Sequence, residues 1–166
     1  MRILGIDPGL GVTGYGIIES KTKGDFKLIE AGVIRTSNKE RLEVRINKIH
    51  NAIKGIIEEF QPKVLVLEKL YSHYRHPTTA ILMGHVRGAV CLVANQSGIS
   101  LVGYSNTRIN KAVIGRGNAS KFQIQRMVQS LLNLRSIPTP PDVSDALALA
   151  IAYAYISRKE GVLIRK

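Results

Sequence analysis

The sequence predicts a mixed α/β fold: a five-stranded sheet, three antiparallel strands followed by two parallel ones, flanked by helices. Two observations carry this reading. Three β-prone runs joined by polar turns fill the first 35 residues, and beyond them apolar strands alternate with segments of helical periodicity. The 166 residues hold no internal repeat, low-complexity tract or long linker, so 1–166 reads as one domain.

Arg2 to Asp7 is a short apolar strand that ends in the turn Pro8-Gly9-Leu10-Gly11. Val12 to Ile18 and Phe26 to Arg35 follow as strands, and the polar Lys21-Thr22-Lys23-Gly24-Asp25 between them signals a hairpin. Leu42, Ile46, Ile49, Ile53, Ile57 and Phe60 then mark an amphipathic helix, with Ser37 or Asn38 as its cap and Pro62 as its stop. Val64-Leu65-Val66-Leu67 is a buried strand closed by Glu68. The apolar stretch from Thr78 to Gln96 is expected as a helix buried against the sheet or a partner, and Ile99 to Tyr104 as the fifth strand. Asn106 to Ile114 forms a short helix, followed by the basic loop Gly115-Arg116-Gly117-Asn118. Ser120-Lys121-Phe122-Gln123 fits a capping box for a helix reaching about Leu134. After Pro138, Pro140 and Pro141, a last helix runs from Asp142 to about Lys159.

Composition narrows the function. An apolar content of 45% is enough to bury a core and argues against disorder. Lys and Arg number 24 against 12 Asp and Glu, a net charge of +12, which calls for a polyanionic partner. The one cysteine, Cys91, excludes an intramolecular disulfide framework and a cysteine-built metal site, and is expected as a core thiol. Gly5, Asp7 and Pro8 interrupt any signal-peptide core, and the longest uncharged apolar run, Ala146 to Ile156, is too short to span a bilayer. The expected compartment is the cytoplasm. Charge is also unevenly spread. Between Glu68 and Asp142 lie nine bases and no acid, a continuous positive surface suited to nucleic acid.

The acids that flank this block stand in apolar sequence. Asp7 and Glu68 close apolar strands; if these are parallel neighbours, both carboxylates emerge at one sheet edge, where open α/β sheets bind ligands. Asp142 and Asp145 lie three apart in the first turn of a helix and share a face. Singly, Asp7 could shape a turn and Asp142 could cap a helix. As a set, clustered carboxylates repel, and a divalent cation is the ordinary remedy. Oxygen donors without zinc spacing favour Mg²⁺ or Mn²⁺, and an acidic metal site on a basic surface points to phosphodiester hydrolysis. His73 and His76 lack further zinc ligands at matching spacing, so their loop is taken as DNA-facing; His85 is expected to pack or hydrogen-bond.

Gly5-Ile6-Asp7-Pro8-Gly9, Thr13-Gly14-Tyr15-Gly16, Glu68, Gly84-His85-Val86-Arg87-Gly88, Lys111-Ala112-Val113-Ile114-Gly115 and Asp142-Val143-Ser144-Asp145-Ala146-Leu147-Ala148 together resemble the bacterial RuvC Holliday-junction resolvases over essentially the whole chain. The resemblance implies a ribonuclease-H-like fold and a homodimer that nicks two opposing strands of a four-way DNA junction in recombination and repair. A twofold axis supplies two such sites. It further implies Asp7, Glu68, Asp142 and Asp145 as catalytic metal ligands for Mg²⁺, two ions per site with Mn²⁺ able to substitute. Some family members carry a histidine where Asp142 stands. It places Tyr71 where an aromatic stacks on unpaired bases, Lys111 and Lys121 as DNA contacts near the scissile phosphate, and RuvA and RuvB as partners. Arg75, Arg108 and Arg116 complete the expected DNA-binding set. The strand–Asp-Pro-Gly turn also resembles the first phosphate motif of sugar-kinase and actin-like ATPases, but those need two such halves around a cleft. The same residues would also suit a shorter ribosomal-RNA-processing nuclease of the same superfamily, and the charge alone would suit a non-catalytic junction binder.

Overall fold

In the computed structural model, which describes residues 1–22, 24–69, 77–159 and 161, five strands form one sheet in the order β3-β2-β1-β4-β5. Strands β1 (Arg2–Asp7), β2 (Val12–Ser20) and β3 (Phe26–Arg35) pair antiparallel, whereas β4 (Val64–Glu68) joins β1, and β5 (Ser100–Tyr104) joins β4, in parallel. This is the expected mixed sheet. The parallel pairs need crossovers, and helices α1 (Leu42–Phe60) and α2 (Pro77–Gln96) supply them. Helices α3 (Asn106–Ile114), α4 (Lys121–Leu131) and α5 (Pro141–Lys159) complete the described chain.

The sheet is buried on both faces. On one, Leu4, Ile6, Ile17, Leu65 and Leu67 pack against Ile49, Ile53 and Ile57 of α1 and Val86, Val90 and Val93 of α2. On the other, Ile3, Ile18, Val64 and Val66 pack under α5, with α3 and α4 outside it. That makes α5 a central helix, covered from both sides, which is why it is apolar almost all round from Val143 to Ser157.

The expected boundaries shift in a few places. Helix α1 begins at Leu42 behind Arg41, which makes no side-chain cap, so neither Ser37 nor Asn38 caps it; Glu40 and Ser37 form a turn of their own just before the helix. The α1 stop is Gln61 in the left-handed conformation, one residue before Pro62. The Ser120 capping box forms as expected, but α4 ends at Leu131, three residues early, where Asn133 turns to positive φ. Helix α2 is not fully covered: Ile81 and Leu92 remain 61% and 53% exposed, so its apolar character exceeds what the sheet buries. His85 is exposed, and Cys91 is half-buried beside the α1–α2 core.

Candidate active site

Strand alternation decides where the strand acids point. In β1, Leu4 and Ile6 face α1 and α2 while Ile3 faces α5, so Asp7 returns to the α5 side. In β4, Val64 and Val66 face α5, and Glu68 follows two residues later. The parallel register ends at the Ile6–Leu67 pair, which sets Asp7 and Glu68 side by side at the sheet edge.

Two glycines bring α5 down to them. A Cβ on Gly5 would stand 1.9 Å from the Ala146 carbonyl oxygen, so only a bare backbone lets α5 lie this close to β1 and put Asp145 beside Asp7. Gly14, the partner of Asp7 across the β1–β2 ladder, does the same beneath Asp142, where a Cβ would meet the carbonyl oxygen at 2.2 Å. Behind Asp7, the buried Thr13 hydroxyl donates to the Gly9 carbonyl at 2.7 Å and accepts from the Gly9 amide at 3.3 Å, closing the turn after the strand.

A cavity of about 360 Å³ results, its polar lining formed by Asp7, Glu68, Asp145, Asn106, Asn110 and Lys121. Asp142 lies outside that lining, one helical turn back over Gly14, yet its charge still bears on Asp7. Lys121, held at the first position of α4 by the capping box, places Nζ 2.7 Å from Asp145 Oδ2. That contact raises the lysine above its ordinary value, against burial, which lowers it. Asp7 is pushed up to about 7, first by burial and then by Asp145, Asp142 and Glu68, with Lys121 pulling the other way. Burial likewise raises Glu68, opposed by a hydrogen bond from Asn106 and by the charges of Arg87 and Lys121. Arg87, on α2, donates to the Glu68 main-chain carbonyl.

The donor set fits a hard divalent cation in chemistry, being all oxygen. It fits in electrostatics too, because a carboxyl held near neutral pH by burial and three acids is a group that a cation returns to its charged form. Among the described residues, no three His, Cys, Asp or Glu side chains are gathered tightly around one point. The Lys121 ammonium, the positive group that the chain itself supplies, holds Asp145 instead.

Of the residues expected to bind DNA, Lys121 reaches the acids. Lys111 does not: consecutive residues on a helix point about 100° apart, and Asn110 takes the inward position on α3. Lys111 and Arg108 line a separate cavity of about 460 Å³ with Tyr155, Arg158 and Lys159, and Arg108 lies 4.8 Å over the Tyr104 ring. Arg116 is exposed in the loop after α3. Tyr71 and Arg75, with His73 and His76, lie outside the described residues. Sequence reasoning missed Asn106 and Asn110; their i, i+4 spacing on α3 was the available signal, but it is a common one.

An antiparallel three-stranded meander extended by two parallel strands, with carboxylates at the strand ends beside a basic surface, defines a ribonuclease-H-like nuclease. The family model for the crossover junction endodeoxyribonuclease RuvC matches residues 3–153. The chain belongs to that family. It is 43% identical over 155 residues to the crossover junction endodeoxyribonuclease RuvC of Rhodopirellula baltica, covering 93% of this chain and 86% of the relative. The enzyme of the same name from Caldicellulosiruptor saccharolyticus is 42% identical over 153 residues, 92% of each chain. Thermus thermophilus RuvC in complex with Holliday junction substrate superposes with a TM-score of 0.92 at 30% identity, covering 96% of both chains. The yeast mitochondrial Holliday junction resolvase shares the fold, with a TM-score of 0.69 at 14% identity over 97% of this chain and 80% of its own.

Proposed function

We propose that this chain is a structure-selective endonuclease that resolves four-way DNA junctions by paired symmetric nicks, acting in recombination and repair. The observation that carries the reading is the convergence of Asp7, Glu68 and Asp145 in one cavity of a chain with net charge +12. Family membership, and a relative's structure with Holliday junction substrate, support the choice of substrate.

Asp7, Glu68, Asp145 and the adjacent Asp142 would hold Mg²⁺, or Mn²⁺ in its place, as two ions per site. Such ions, when bound, neutralise charge at the phosphate and activate the attacking water. The chain's own groups do the rest. Asp7, central among the acids, sets where positive charge must gather. Lys121 stays protonated and presents its ammonium to the scissile phosphate, where negative charge develops. Arg87 holds the Glu68 main chain and Asn106 its carboxylate, fixing that residue from two sides. Arg108, Lys111 and Arg116 carry the flanking arms by phosphate contacts, with Arg75 and the stacking aromatic Tyr71 completing the DNA surface.

In this reading 1–166 is one nuclease domain working as a homodimer in the bacterial cytoplasm, alongside RuvA and RuvB. The α2 stripe of Ile81, Gly84, His85, Gly88 and Leu92 supports self-association: it is exposed, its glycines have open space above them, and its two large apolar residues lack cover. No described helix is long and apolar enough to cross a membrane.

The test is a synthetic mobile four-way junction beside a linear duplex of the same sequence, incubated with Mg²⁺. Two symmetric nicks in the junction and an intact duplex are expected. Equal cutting of both would remove junction selectivity, and tight binding without nicks in Mg²⁺ or Mn²⁺ would leave a non-catalytic binder.

A further inference from the structure

The loop between α3 and α4 folds back along α3 toward the acids. Gly115, in the left-handed conformation at φ 88°, ends α3 and reverses the chain. Gly117 then lies against the first turn of the same helix, so close that a Cβ would stand 2.8 Å from Thr107 Cγ2. Asn110, buried at 8% exposure, fastens it there: its Nδ2 donates to the Gly117 carbonyl at 3.2 Å and to Asn106 Oδ1 at 2.8 Å. With Oδ1 taken, the remaining polar group of Asn106 is its own Nδ2, and this donates to the Glu68 carboxylate. The Asn110 amide thus donates in two directions, to the loop on one side and to Asn106, which in turn donates to Glu68, on the other. The loop's far end runs through Ala119 into Ser120 and Lys121, which holds Asp145.

We propose that Asn110 and Asn106 are positioning residues that couple the seating of the basic loop 115–118 to the orientation of Glu68. The inference rests on the reading of the carboxylates as the metal site. The loop carries Arg116, a proposed phosphate contact, so DNA that presses the loop onto α3 tightens the hydrogen bonds that aim Glu68 into the cavity. A loop lifted from α3 leaves Asn110 without its Gly117 partner, so the amide that holds Asn106 Oδ1 loses its other anchor and the Glu68 donor is held less firmly.

The test measures Mn²⁺ binding to DNA-free protein by calorimetry, alongside thermal unfolding, for Asn110→Ala, Asn106→Ala, the double variant and Gly117→Ala. Each single asparagine change is expected to weaken Mn²⁺ binding about fivefold, the loss of one hydrogen bond to a charged group or its support. The double variant should be no weaker than Asn106→Ala alone, because Asn110 acts through Asn106. Gly117→Ala removes no polar side chain, yet by pushing the loop off Thr107 it should weaken Mn²⁺ binding as well. Asn106→Leu keeps volume but has no amide to donate and adds no charge to the cavity, so it tests the donor even if the alanine variants fold poorly; it should bind Mn²⁺ as weakly as Asn106→Ala. Unchanged Mn²⁺ affinity in folded Asn106→Leu and Gly117→Ala, or additive losses in the double variant, would overturn the relay. Asp7→Asn is the control: if it binds Mn²⁺ like the wild type, the carboxylate site itself is wrong; if it does not while Asn110→Ala binds normally, the relay alone fails.

Discussion

Asp7 bears the largest electrostatic cost among the described residues, and that cost has a pH signature. Its carboxyl, near 3.8 in an unfolded chain, is raised to about 7 in the fold. Below pH 4 both states are protonated and nothing is lost; as pH rises toward 7 the unfolded chain ionises more readily, so the folded state loses stability and stays penalised above 7. Without divalent metal, Asp7→Asn should therefore be more stable than the wild type at pH 8, by about 2–4 kcal/mol at about 1.4 kcal/mol per pKa unit. The gain should vanish near pH 4, as thermal unfolding at the two pH values would show. Lys121 makes the complementary case. Lys121→Met should lower kcat on a junction about 100-fold, the order expected for losing one charge-stabilising donor, with junction affinity changed far less. Equal losses in both would mark Lys121 as an ordinary phosphate contact.

At the scale of elements, the site depends on how closely one apolar helix approaches one strand. The strands and their acids were legible because period-2 patterning and the end-of-strand positions of Asp7 and Glu68 are local signals. The parallel pairing of β1 with β4 stood only as a condition, since the helix α1 before β4 allows a parallel strand without fixing which strand it joins. The depth of α5 on the sheet was not legible, since nothing in Gly5 or Gly14 says which element will rest on it. Nor was the choice between Asn110 and Lys111, which the rotation of α3 about its own axis settles. For the same reason Asp142 and Asp145, on one face by spacing, reach different surroundings: Asp145 the cavity, Asp142 the Gly14 side. A Gly5→Ala substitution tests the approach directly. Its methyl group would collide with the backbone carbonyl of Ala146, which cannot rotate away, so α5 must lift. A loss of about 3 kcal/mol in denaturant unfolding is expected, the upper end for overpacking. Cleavage should fall more than junction binding, because α5 carries two of the four acids.

For the whole molecule, two charge distributions coexist: an excess of positive charge, which the proposed function assigns to DNA, and a small acidic cavity that would repel it without a cation. The acid-free run from Lys69 to Pro141 supplies the first, and the sheet edge supplies the second. The proposed homodimer places its seam at the α2 stripe. Leu92→Glu should leave a folded monomer by sedimentation and abolish paired nicking, since it places a charge in an uncovered apolar patch. An unchanged dimer would move the interface elsewhere. Whether the carboxylate cavity cuts while the basic residues bind is read from Asp7→Asn, with junction binding and Mg²⁺-dependent cleavage measured on the same preparation. Cleavage should fall at least about 1,000-fold, as for loss of a group central to charge stabilisation, with binding kept within about threefold. Retained cleavage, or binding and cleavage lost together in a folded protein, would contradict that division of roles.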